Sequence, residues 1–209
     1  MSYDWKKAEK NIYLPGIKPV QINIPSFRYF SVEGAGNPND DFFPECIGVL
    51  YSLSYALKMS PKKGEAPPGY FEYSVYPLEG VWDISDEAKK NFSGKIDKNT
   101  LLFNLMIRQP DFVTPDYAGL VISRTMARKP HPLLEKVRFI SVEEGSCVQM
   151  LHIGSYDDEP ASFRIMEDFC KELNIKRESK IHREIYLSDA RRVSPDKLKT
   201  VLRFKTVSS

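Results

Sequence analysis

GSCVQMLHIGSYDDEPASFRIMEDFCKELNIKRESKIHREIYLSDARR, residues Gly145 to Arg192, contains in order a strand, a tight turn, an amphipathic helix, a linker and a second strand. The opening run alternates: Cys147, Gln149, Leu151 and Ile153 fall on one face, and Val148, Met150 and His152 on the other. That is the pattern of a half-buried strand, and Gly154 ends it. Asp157 and Asp158 offer side-chain oxygens to the free N–H groups of a helix start, and Pro160 suits a first turn, where its missing N–H costs nothing. Phe163, Met166, Phe169, Cys170 and Leu173 recur at three- and four-residue steps, so the helix carries an apolar stripe that must lie on the sheet. Asn174 is the expected stop. In the last strand, Ile181 to Leu187, period two puts His182, Glu184 and Tyr186 on one face and Ile181, Arg183, Ile185 and Leu187 on the other. An acid between two ring side chains reads equally as a solvated stripe on an edge strand or as the floor of a site.

Working outward, Phe27 to Glu33 alternates as a strand. The turn composition Gly34 to Asn39 then leads to Asp40 and Asp41, either of which could cap a helix whose face is Phe43, Ile47, Leu50, Ser54 and Leu57. Lys62 to Gly69 is a loop, and Tyr70 to Asp83 is read as a long strand or a bent pair. The order from Phe27 to Asp83 thus repeats the order from Cys147 to Leu187, which points to an internal duplication. Ser74 takes the place of Glu184, so one half alone has the central acid. Between the halves, Leu101 to Arg108 alternates as a strand. Thr114-Pro115 caps a helix through Tyr117, Leu120, Val121 and Arg124, and Val137 to Val142 and Lys199 to Lys205 are further strands. Residues 1–25, with Pro15 and Pro19, read as an extended arm or short leading helix.

The runs IRQP (Ile107 to Pro110), CVQMLHIGSYDDEP (Cys147 to Pro160), HREIYLSDARR (His182 to Arg192) and KLKTVLR (Lys197 to Arg203) resemble the GyrI-like small-molecule-binding family, over roughly Phe27 to Arg203. The resemblance implies an α+β fold. It would consist of duplicated strand-helix-strand-strand units with pseudo-twofold symmetry, a largely antiparallel sheet with helices on one side, and a central ligand cleft. The chain would be a single domain over 1–209, with a first repeat at about 26–110, a second at about 136–206 and an N-terminal arm at 1–25. Carried over by motif, the family's acidic residue is Glu184. The run Leu78 to Trp82 is similar to a family segment that brings a Trp toward the ligand, although Asp83 stands where relatives often have a second Trp. A free-standing branch of the family, which this chain resembles, is known as hydrolases that open the cyclopropane of cyclopropanoid alkylating compounds.

The expected site therefore has Glu184 as the base, with Tyr117 as the assisting tyrosine and Tyr76 and Tyr186 as its competitors. The ligand wall would be Tyr73, Tyr76, Trp82, Phe103, Met106, His182 and Tyr186. A carboxylate among aromatic rings attracts a lipophilic cation, and apolar surroundings make it a stronger base. The alternatives are a non-catalytic drug-sequestering or sensing module and a gyrase-inhibitor-like interaction protein. No cofactor is called for. Zinc is not expected, because His131, His152 and His182 lack ligand spacing with the cysteines.

Thirty basic against twenty-eight acidic residues give a net charge of +2 with dispersed Lys and Arg, so no direct nucleic-acid binding is expected. No apolar run approaches the ~18 residues of a membrane span, and Met1 to Lys10 is not signal-like, so the expectation is a cytoplasmic monomer or homodimer. Cys46, Cys147 and Cys170 lie far apart and read as buried thiols.

Overall fold

A computed structural model describes residues 2–91 and 96–208. Its elements in chain order are α1 (Trp5–Ala8), α2 (Lys10–Tyr13), β1 (Val20–Ile24), β2 (Phe27–Ala35), α3 (Phe42–Lys58), β3 (Leu78–Ile84), α4 (Asp86–Lys90), β4 (Leu101–Gln109), α5 (Pro115–Arg128), β5 (Arg138–Val142), β6 (Gly145–Ile153), α6 (Glu159–Glu172), β7 (Ile175–Arg177), β8 (His182–Tyr186) and β9 (Lys199–Ser208). The class is α+β, and the ladders β1–β6, β6–β9, β7–β9, β8–β9, β2–β4 and β2–β5 are all antiparallel.

The chain divides into two compact units. The first comprises Met1–Asp4, Phe27–Leu78 and Trp82–Val142. In it β4, β2 and β5 lie side by side under α3, which buries Cys46, Val49, Leu50, Leu53, Ser54 and Leu57. Thr114 caps α5 as expected, its side chain accepting from the Tyr117 N–H at 3.2 Å. Asp41 stands at the cap of α3 without a side-chain hydrogen bond. The strand expected over Tyr70 to Asp83 forms only from Leu78 onward. Pro77 has no N–H for a ladder, and the residues before it are held instead by rings: Tyr70, Phe71 and Tyr73 each meet Phe112, with centroids 5.1 to 5.9 Å apart. Ser74 therefore lies outside any strand, unlike Glu184, with which the repeat pattern aligned it.

The second unit comprises Trp5–Ser26, Glu79–Val81 and Glu143–Ser209, with strand order β1-β6-β9-β8. Residues 1–25, read from sequence as an extended arm or short leading helix, form the short helices α1 and α2 and also supply β1, an edge strand exposed along most of its length. That exposure is why its alternation was weak. Register fixes the two faces of this sheet. Met150, Leu202 and Glu184 lie in one row across β6, β9 and β8, and Gln149, Arg203 and Arg183 in the next. Because adjacent residues of a strand point to opposite faces, the first row and the second face opposite ways.

Helix α6 packs on the Met150 face, where Val148, Met150, Met166, Cys170, Leu202 and Phe204 form the core with Phe163 and Phe169 against it. Leu173, expected in the stripe, is largely exposed beyond the helix end, and Asn174 turns the chain with φ 56°. At the N-terminus Asp158 stands at the cap position of α6 as expected but makes no side-chain cap bond, and the 3-10 turn before it, Tyr156–Asp158, is capped by Ser155, whose hydroxyl accepts from the Asp157 N–H at 3.2 Å.

The Gln149 face is buried as well, by polar contacts. Arg203, 1% exposed, reaches Glu144 (2.8 Å), Gln149 (2.9 Å) and the Ile12 carbonyl (3.0 Å), and Gln149 donates to the Asn11 carbonyl (2.7 Å). Arg183 pairs with Glu79 (2.7 Å) and Glu144 (2.9 Å). β6 is thus covered on both faces rather than half-buried, with α6 on one and residues of α2 on the other.

Candidate functional site

β8 has β9 on one side and β3 on the other, so it is an interior strand and not an edge. The His182, Glu184 and Tyr186 stripe lies on the α6 face. Glu184 is 8% exposed. Its Oε1 lies 3.1 Å from His182 Nε2, and His182 Nδ1 lies 3.3 Å from the Lys180 carbonyl. The imidazole is also held edge-on by Phe163 of α6, with centroids 4.7 Å apart. Tyr186 meets Tyr156 at right angles, with ring centroids 6.1 Å apart.

Two residues that sequence reasoning left out complete this group. Glu159, the first residue of α6, is 6% exposed, and one ligand atom from each of Glu159, His182 and Glu184 falls within 4.8 Å of the others. Burial, then the Glu184 charge and a hydrogen bond to it, then Asp157, hold the Glu159 carboxyl well above the ordinary range. Tyr156 stands in the same field: burial, then Glu184, Glu159 and Asp189, push its hydroxyl up to about 12. It is therefore a hydrogen-bond donor across the working pH range. The signal for both was present in the quoted YDDEP run, but a glutamate opening a helix reads first as a complement to the helix dipole.

Histidine spacing gave no hint of the Glu159, His182 and Glu184 cluster, whose donor set of two carboxylates and an imidazole is one that can hold a divalent cation. His152 is a structural histidine, bonded to Ser162 Oγ at 2.9 Å and to the Ser155 carbonyl at 3.0 Å.

The remaining expected residues belong to the first unit. Trp82 and Phe103 are brought together, centroids 5.6 Å apart, with Phe43 stacked on Trp82 at 5.7 Å and edge-on to Phe103 at 5.2 Å. Met106 is buried, and Tyr76 lies under the Arg108 guanidinium at 4.6 Å. Tyr73 is buried with its hydroxyl lacking a partner among the described residues, and burial raises its pKa. Tyr117, expected as the assisting tyrosine, donates its hydroxyl to the Glu65 carbonyl at 2.6 Å, and Glu65 is itself clamped by Arg124 and Arg128. Phe43 and Phe112 were missed because each sits in a segment read only for helix or loop signals.

The profile of the GyrI-like small molecule binding domain matches residues 18–205. The chain belongs to the GyrI-like family. Among solved structures of GyrI-like form, a hydrolase from Listeria innocua is 31% identical, with a TM-score of 0.89 over 99% of this chain and 100% of that one. An uncharacterised conserved protein from the same organism is 34% identical, with a TM-score of 0.87 over the same shares. The C-terminal domain of EcmrR, 10% identical with a TM-score of 0.56 over 92% of this chain and 98% of that one, shares the fold alone. No curated protein matches the chain. Among the described residues all three cysteines are free and buried, and no helix is long and apolar enough to cross a membrane.

Proposed function

We propose that this GyrI-like small-molecule-binding protein acts as a single domain over 1–209 and hydrolyses cyclopropanoid alkylating compounds, with Glu184 activating the water. The observation that carries the reading is Glu184 itself, a buried carboxylate braced by His182 and flanked by Tyr156 and Tyr186. The 31% identical relative described as a hydrolase supports a catalytic over a purely sequestering role.

In the reaction, Glu184 takes a proton from water as the oxygen attacks the cyclopropane carbon. The strained C–C bond breaks, its electron pair moves into the conjugated carbonyl, and that oxygen is then protonated. Negative charge grows on this carbonyl, so a neutral tyrosine O–H aimed at it lowers the barrier. Tyr156 and Tyr186 stand nearest Glu184 within its own unit, and Tyr156 is a donor at any working pH. Ring faces and one carboxylate also suit lipophilic aromatic cations as ligands.

The test is mass spectrometry of a cyclopropanoid compound incubated with the protein. A product heavier by one water supports hydrolysis. Unchanged compound that co-purifies with the protein would instead assign a binding and sequestering role.

A further inference from the structure

Glu159 comes from the start of α6 and His182 and Glu184 from β8, yet one ligand atom of each lies within 4.8 Å of the other two. Both carboxylates are buried, and among the described residues neither forms an ion pair with a lysine or arginine. Two contacts in the cluster call for a cation. Oε1 of Glu159 has no hydrogen-bond partner among the described residues, and a buried acceptor without a donor is costly unless something positive stands beside it. Both ring nitrogens of His182 also face acceptors, Nε2 at 3.1 Å from Glu184 Oε1 and Nδ1 at 3.3 Å from the Lys180 carbonyl. A neutral imidazole has one N–H, so it donates to one of these and sets a lone pair against the other. A second ring proton would satisfy His182 and leave Glu159 Oε1 as bare as before. A divalent ion between the three side chains answers every contact: Nδ1–H donates to the Lys180 carbonyl, Nε2 and both carboxylates turn to the ion, and two negative charges meet two positive ones. A ligating histidine ordinarily donates its other ring N–H to a carbonyl or carboxylate, which is the place Lys180 fills.

We infer that Glu159, His182 and Glu184 form a site for one divalent transition-metal ion, whose mixed nitrogen and oxygen donors suit zinc and its neighbours over magnesium or calcium. Three atoms no more than 4.8 Å apart surround a point less than about 3 Å from each, so reaching zinc bonds of about 2.0–2.2 Å takes side-chain shifts under about 1 Å. The donors stand on packed elements. The α6 stripe anchors Glu159 on β6 and β9, and Phe163 holds the His182 ring edge-on. The site goes beyond the proposed function and does not depend on it. The two meet at Glu184: an ion on that carboxylate takes away the base, so the metal-free protein is the active form.

Calorimetric titration of chelator-stripped, full-length protein with micromolar zinc chloride at pH 7 tests the site. The wild type should take up one equivalent, and Glu159→Gln and His182→Gln should each bind at least about tenfold more weakly. His131→Ala, which alters a histidine outside the cluster, should bind as the wild type does. No uptake by the wild type overturns the proposal, as does uptake unchanged in both cluster variants or lost in His131→Ala, which would make the zinc an adventitious ion only. Melting temperatures give a second readout: zinc should raise that of the wild type and leave that of Glu159→Gln unchanged, and an equal rise in both overturns Glu159 as a ligand.

In the cyclopropanoid assay, zinc should slow water addition by the wild type in proportion to its occupancy; loaded protein that reacts at the metal-free rate overturns Glu184 as a ligand. Failure of the proposed function reads differently. Zinc uptake as above, with no adduct from the metal-free protein, supports the site and counts against the hydrolase.

Discussion

Replacing Arg203 by Met tests whether the polar face of the second unit supports the β8 strand. Arg203 is almost wholly buried and joins Glu144, Gln149 and the Ile12 carbonyl, and it lies opposite Arg183 in the β8–β9 register. Met matches its stem and removes the charge. Breaking a buried ion pair from one side costs about 3–5 kcal/mol, because the remaining charge is left uncompensated. Glu144 would still hold Arg183 at 2.9 Å, so the low end, about 3 kcal/mol, is expected.

The assay is urea unfolding of the wild type, Arg203→Met, Glu144→Gln and the double variant at pH 7. The singles should not add, since both act on one contact. The cycle also has a pH signature. Burial raises the Glu144 carboxyl, but Arg183 and Arg203 together lower it more, so its folded-state value lies below 4.5. The stability it contributes is present above 4.5 and is lost as pH falls through the folded value. A loss below about 1 kcal/mol in Arg203→Met, with additive singles, would refute the network as a support for β8.

Three further outcomes follow from single contacts. Glu159 is held well above 4.5, so the folded protein keeps a proton that the unfolded chain has released; this costs stability increasingly as pH rises from 4.5. The melting temperature of Glu159→Gln should therefore gain on the wild type between pH 4.5 and 7.5, and a pH-independent difference would contradict the assignment. A Cβ added at Gly34 would run into the Phe103 ring and lie 2.8 Å from Phe42 Cε1, so Gly34→Ala should cost about 1–3 kcal/mol in thermal unfolding; an unchanged melting temperature would mean that the rings yield freely. Tyr156→Phe should slow water addition by about tenfold, the worth of one hydrogen bond made in the transition state, and an unchanged rate removes Tyr156 from the site.

Much of this was legible because period and register carry it. The alternation of Cys147 to Ile153, the α6 stripe up to Cys170 and the His182, Glu184, Tyr186 face survive in the structure. What was hidden depends on contacts distant in sequence. Arg183 reads as an outward cation until Glu79, 104 residues away, is brought beneath it. Glu159 reads as a surface helix start until β8 comes to lie against it. β1 was hidden by its exposure, as an edge strand with little apolar alternation. The Tyr70 to Pro77 run, rich in aromatics, imitated a strand while serving to stack rings around Phe112.

The central claim is that Glu184 activates water, and the direct measurement is the rate of water-adduct formation from a cyclopropanoid compound, followed by mass spectrometry, for wild type and Glu184→Gln. Gln keeps the shape and removes the base, so the rate should fall by about 10² to 10⁴-fold, the scale of general-base catalysis, with the melting temperature unchanged or higher. A Glu184→Gln protein that forms the adduct at the wild-type rate would contradict the account.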